Sequence, residues 1–177
     1  MYRFAVEIWY DEGSVCTFYS VRFIDEKENT LSETDKFFDK FTREGSHFYD
    51  EAMQLFRLVI NSIGDKYGAI DDFFDRMENR AQALPPRPKK GVDEISLLGL
   101  RFPLRLFCFR VSEQIVILFN GGVKSSENVQ SSDDLSVKFY EAQFFALRII
   151  EALREKIIEI SDNGRYLEYF DNNDIIL

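Results

Sequence analysis

The chain is poor in cysteine, histidine and proline: of 177 residues, two are Cys, one is His and four are Pro. Cys16 and Cys108 lie far apart and form no CxxC pair, which excludes a zinc ribbon or a redox dithiol. A bridge between the two is the single pairing available, and such bridges are rare in a reducing cytoplasm, the compartment expected here. With His47 alone, the usual metal and triad constellations are nearly empty. No metal and no cofactor are expected, and His47, beside the Gly45-Ser46 turn, reads as a capping or surface imidazole. Asp71, Asp72, Asp75 and Glu78 lie within two turns of a candidate helix and read as a solvated face. Gly121-Gly122 has no GxxxxGKS pattern around it and is not a phosphate loop. No run approaches the roughly 18 apolar residues of a membrane helix, and MYRFAVEIWYDE lacks the apolar centre of a signal peptide, so no membrane partner is expected.

Positive charge is also scarce. Lys and Arg number 22 against 31 Asp and Glu, a net charge of −9 that argues against broad binding to nucleic acid. What the chain does have is apolar surface: 45% of residues are hydrophobic and 18 are Phe, far above the composition of a disordered chain. Its length suits one domain, residues 1–177, with an N-terminal part to residue 84, a middle part at 85–124 and a C-terminal part from 125.

The patterns predict a mixed α/β (α+β) fold. Phe4, Val6 and Ile8 alternate, as does the run with Val15, Phe18, Val21 and Phe23, and Asp11 to Ser14 between them signals a turn; a β-hairpin follows. Ser32 to Asp35 resembles a capping box ahead of a short helix with Phe37, Phe38 and Phe41. Phe48, Ala52, Leu55, Phe56, Val59 and Ile63 mark a second helix ending near Gly64 or Gly68. The spacing of Ile70, Phe73, Phe74, Met77, Ala81 and Leu84 predicts a third helix from about 69 to 84, stopped by Pro85 and Pro86. Residues 104–111 and 114–119 are dense apolar runs, expected to be antiparallel central strands covered by helices, with Lys124 just past the second. A long helix is predicted from Ser132 along Leu135, Phe139, Ala142, Phe145, Ala146, Ile149, Leu153, Ile157 and Ile160 to Asn163-Gly164. Arg165 to Phe170 is an edge strand or a loosely packed tail. The Phe-rich helices supply core, and any exposed remainder would suit dimerisation or a protein partner.

Charge is unevenly spread. Residues 1–84 carry −7 and residues 125–177 carry −6, whereas 85–124 carry +4. That middle segment holds Arg87, Lys89, Lys90, Arg101, Arg105, Arg110 and Lys124, a candidate anion site if its cations are not consumed by internal pairing. Alternation sends Arg105 and Arg110 to opposite faces of their strand, so only one of them can readily join Arg101 and Lys124.

The stretch from Arg105 to Val111, the strand from Ile115 to Lys124 and the following helix with Ala142 resemble the RelE/HigB-type toxins of toxin–antitoxin systems and their phage-derived relatives, over about residues 100–153. The resemblance implies a RelE/ParE-like antiparallel sheet with packed helices, and metal-independent endoribonuclease cleavage of mRNA on the ribosome. In that chemistry a ribose 2′-OH attacks the adjacent phosphate and cations stabilise the developing charge. It also implies an antitoxin partner and assigns catalytic roles to Arg105, Lys124 and Arg101; Arg110, Lys89 and Lys90 are candidates for binding. Ser125 stands where the family carries a second lysine, and the hairpin and extra helices lie outside the match. These differences motivate an alternative on the same fold, a non-catalytic interaction protein.

Overall fold

The computed structural model describes residues 2–25, 31–75, 80–88, 91–124, 133–170 and 174–177. The chain forms β1 (Phe4–Tyr10) and β2 (Thr17–Phe23), then α1 (Glu33–Phe41) and α2 (Tyr49–Arg57), the latter running on as a π-helical segment (Leu58–Tyr67). A 3₁₀ turn (Asp71–Phe73), β3 (Gln82–Leu84) and the short α3 (Asp93–Leu98) lead to β4 (Leu104–Ser112) and β5 (Ile115–Val123). The chain ends with α4 (Asp133–Arg154), β6 (Ile158–Ile160), β7 (Leu167–Tyr169) and β8 (Ile175–Ile176).

Six strands form one sheet in the order β3-β4-β5-β2-β1-β8, and β6 pairs with β7 separately. The α+β class and the N-terminal hairpin are as expected. All neighbours in the main sheet are antiparallel except β2 and β5, which run parallel with Tyr19 opposite Ile117. Alternation in the central strands explains why both β4 and β5 read as continuous apolar runs. Leu104, Leu106, Cys108, Val116 and Leu118 meet α1, α2 and the π-helical segment through Phe37, Phe38, Leu55 and Ile63. Phe107, Phe109, Ile115, Ile117 and Phe119 meet α4 through Leu135, Ala142, Phe145 and Ile149. The sheet is thus buried on both faces.

Two helix predictions are corrected. The described residues of 69–84 hold a 3₁₀ turn and the strand β3; Phe73, Phe74, Ala81 and Leu84 are buried as expected, while Met77 lies outside the described residues. β3 covers the free edge of β4, Gln82 opposite Cys108, and that pairing outweighs the helical spacing. The long helix stops at Arg154 rather than near Gly164: Lys156 turns into the left-handed region at φ 59°, and the Ile157 amide returns to the Ala152 carbonyl at 2.8 Å. Ile158 then enters the core as a strand residue, leaving Ile157 and Ile160 partly exposed, and Asn163-Gly164 turns the β6–β7 hairpin. Cys16 and Cys108 are buried free thiols.

Ser32 caps α1 as predicted, its hydroxyl accepting the Asp35 amide at 3.1 Å. Asp35 does not return the bond expected of a capping box; its carboxylate accepts the Trp9 indole N–H at 2.9 Å. The π-helical segment ends at Gly68, whose φ of 75° suits a residue without Cβ. Among the described residues no helix is long and apolar enough to cross a membrane.

Candidate functional site

The predicted cations divide between two ends of the β4–β5 pair. At one end the Lys124 amide donates to the Pro103 carbonyl at 2.6 Å, placing Lys124 beside the segment that carries Arg101 and Arg105. Arg101 is exposed; Arg105 and Lys124 are half-buried. Arg105 lies opposite Gly122 across the strand pair. Its Nη1 donates to the Phe102 and Leu104 carbonyls, both at 2.7 Å, so the guanidinium caps the backbone at the start of its own strand. Burial pushes its pKa below the ordinary arginine range, with Asp75 opposing that shift. Gly121 lets the strands close here, because a Cβ at that position would collide with the Arg105 carbonyl oxygen.

Arg110 belongs to the other end. It lies five residue steps along the strand from Arg105, about 17 Å. Its Nη1 donates to the Ala69 carbonyl at 3.1 Å and to Asp71 Oδ1 at 2.7 Å, and the guanidinium covers the Phe74 ring at 5.1 Å. Arg101, Arg105 and Lys124 therefore share a region, and Arg110 does not. Lys89 and Lys90 lie outside the described residues. His47 is exposed, and the turn bond beside it comes from Ser46, whose hydroxyl accepts the Phe48 amide.

A second region gives little sequence signal. α1 is pinned to the sheet by a buried polar seam. The Thr34 hydroxyl donates its one proton to the Phe119 carbonyl at 3.0 Å, so Ser20, 2.6 Å away, must donate to Thr34 Oγ1. Glu33, only 1% exposed, accepts from Lys36 Nζ at 2.9 Å and from Asn120 Nδ2 at 2.8 Å. Charged side chains are rarely so buried without partners, and this one has two. Ser20, between Tyr19 and Val21, is the available clue.

The seam adjoins the edge of β1. Phe4 exchanges backbone bonds with Leu177, both at 2.9 Å, and β8 pairs with Ala5 and Val6 alone. Arg3 accepts from Ile24 in the other direction, which fixes the alternation: Phe4, Val6 and Ile8 turn their amides and carbonyls away from β2. Among the described residues no strand pairs with β1 beyond Val6, so the Ile8 backbone faces outward from a 51% exposed residue.

A cavity lies on each face of this edge. One, about 180 Å³, is lined by Glu7, Ile8, Trp9, Ser20, Ser32 and Asp35. The other, about 360 Å³, includes Glu7, Ile8, Tyr19, Tyr169, Glu168 and Asp174. Arg22 holds Glu7 through Nε at 3.0 Å, and that bond, with Asp174 nearby, raises the Arg22 pKa. Burial raises the Tyr19 phenol, which accepts the Leu167 amide at 2.8 Å and ties the β6–β7 hairpin to the sheet. The edge thus presents an outward-facing peptide unit between two carboxylate-bearing recesses.

Comparison of the chain with family models, with curated proteins and with solved structures finds no match.

Proposed function

We propose that this chain is a protein-interaction module that takes an extended, basic segment of a partner as an added strand on β1. The outward-facing backbone of Ile8, between recesses on both faces, carries this reading. Strand addition uses main-chain bonds for affinity and alternate side-chain pockets for selection. A strand laid along β1 sends successive side chains to opposite faces, one toward Asp35 and the next toward Glu168 and Asp174. Those carboxylates, on a chain of net charge −9, select Lys and Arg. Two of the cations of 85–124 have structural duties on this reading: Arg105 caps carbonyls and Arg110 pairs with Asp71.

The test is fluorescence anisotropy with an eight-residue peptide of repeated Lys-Lys-Val-Val, which carries Lys to both faces of a strand, against its Glu-Glu-Val-Val counterpart. The Lys peptide binds, more weakly as salt rises, and the Glu peptide does not. Ile8→Pro removes the outward N–H while leaving the β1–β2 bonds, and weakens binding about tenfold, the equivalent of one hydrogen bond; Ile8→Thr, which keeps the donor, does not. Equal binding of both peptides, or binding indifferent to Ile8→Pro, refutes the proposal.

A second reading is RNA-directed toxin activity of the RelE/HigB type with an antitoxin partner. It is supported by the shared location of Arg101, Arg105 and Lys124 at one end of the β4–β5 pair. Growth arrest and mRNA cleavage on induced expression, abolished by Lys124→Ala in a folded protein, would establish it, and their absence would remove it.

A further inference from the structure

α4 is buried on one side and carries exposed apolar side chains on the other. Leu135, Ala142, Phe145, Ala146 and Ile149 face the sheet, yet Val137, Tyr140 and Leu147 are 54%, 67% and 58% exposed. Half-buried Phe144 lies between them, its ring leaning onto Phe4 of β1 at a centroid separation of 6.0 Å; the four fall at steps of three, four and three residues, the a/d spacing of a coiled-coil seam, with Val137, Tyr140 and Leu147 turned away from the sheet. A surface helix facing water ordinarily carries charge there. Glu141 and Arg148, seven residues apart, lie on the same flank of this seam. Lys138 reaches Glu141 at 3.3 Å, and the Arg148 guanidinium lies over the Phe144 ring at 6.0 Å.

We propose that this face pairs with the same face of a second copy, the two α4 helices running antiparallel about a two-fold axis near Phe144. Residue numbers facing each other across such an axis sum to about 288. Tyr140 then meets Leu147 of the second copy, and Val137 lies along the Glu151 stem. Because a two-fold apposes like flanks, Glu141 of each copy meets Arg148 of the other, giving the charge match twice. Opposed helix dipoles also favour this direction. The seam from Val137 to Leu147 covers about 15 Å of a 22-residue helix. A single helix pair covers less than the roughly 1,200 Å² of a standard interface, so the dimer is reversible and concentration-dependent. This face lies on another element from the β1 edge and does not depend on strand docking.

Sedimentation equilibrium of the full chain over a wide concentration range tests the proposal. The expected result is a reversible monomer–dimer equilibrium. Leu147→Glu abolishes the dimer. Arg148→Glu, which sets a second carboxylate against Glu141 at both symmetry-related contacts, weakens it at least tenfold, and adding Glu141→Arg restores it. Circular dichroism of each variant confirms folding, and since these side chains face solvent the fold is retained. A monomer at every concentration overturns the proposal, as does a dimer indifferent to Leu147→Glu or a double swap without rescue.

Discussion

Arg105 is the residue on which the two functional readings separate, and Arg105→Met measures its role. Methionine keeps the apolar stem of the side chain and deletes the guanidinium. The loss is two bonds from Nη1, to the Phe102 and Leu104 carbonyls at 2.7 Å each. Hydrogen bonds from a charged donor contribute about 1.5–3 kcal/mol when well shielded. Arg105 is half-buried, so water replaces part of that, and about 1–1.5 kcal/mol per bond, or about 2–3 kcal/mol in all, is the working figure. For a chain of this size each kcal/mol moves Tm by about 2–4 °C, which places the variant about 4–12 °C below the parent. The assay is thermal unfolding beside RNA binding at low salt. A fold-supporting Arg105 lowers Tm and leaves residual RNA affinity and its salt slope unchanged. A phosphate-binding Arg105 does the reverse, reducing the salt slope by about one with Tm nearly constant. An unaltered Tm refutes the carbonyl-capping argument.

Glu33→Ala removes the acceptor of Asn120 Nδ2 and the partner of Lys36 in a nearly sealed site. Breaking a buried pair costs about 3–5 kcal/mol, and because Lys36 can rehydrate, the low end is expected by urea unfolding; Glu33→Gln keeps an acceptor for Asn120 and loses less than half as much. The thiols give a pH prediction, since burial pushes Cys16 up to about 12 and raises Cys108 as well. The unfolded chain releases both protons above about pH 8.5 while the folded chain retains them, so stability is intact below that pH and falls as pH rises toward 12, by about 1.4 kcal/mol per unit per thiol. The urea midpoint of Cys16→Ala/Cys108→Ala accordingly declines less between pH 7.5 and 10 than the parent's, and parallel declines would contradict the burial of the thiols.

Where one local pattern has one way to be satisfied, the residues announce their structure. Ser32 stands before an apolar helical stripe and caps α1, and β4 and β5 are apolar on both faces because α1 and α4 cover both. The failures come from segments whose spacing serves two solutions. Ala81 and Leu84 fit a helical face, but they fit a strand against β4 as well, and β4 has an edge that must be covered. Ile149, Leu153, Ile157 and Ile160 continue a helical period, yet Ile158 between them is the residue the core takes. Asn163-Gly164 signals a turn in either case, and the turn it makes joins a hairpin in place of ending a helix.

The candidate sites follow the same logic at longer range. The positive charge of 85–124 is plain in the sequence, but the destination of each charge is not, because Arg105 turns back to carbonyls at its own strand's start and Arg110 crosses to Asp71. The β1 edge is harder still. Its exposure depends on where β8 meets β1, and among the described residues it does so at Ala5 and Val6, a pairing of residues about 170 apart in the chain. No window of the sequence contains both strands. β2 and β5, likewise distant, lie parallel at the centre, which leaves β1 on the outer side of β2 with the short β8 beyond it. An N-terminal hairpin read alone has two equivalent edges; the parallel pairing consumes one of them, and among the described residues β8 pairs with the other at Ala5 and Val6 alone.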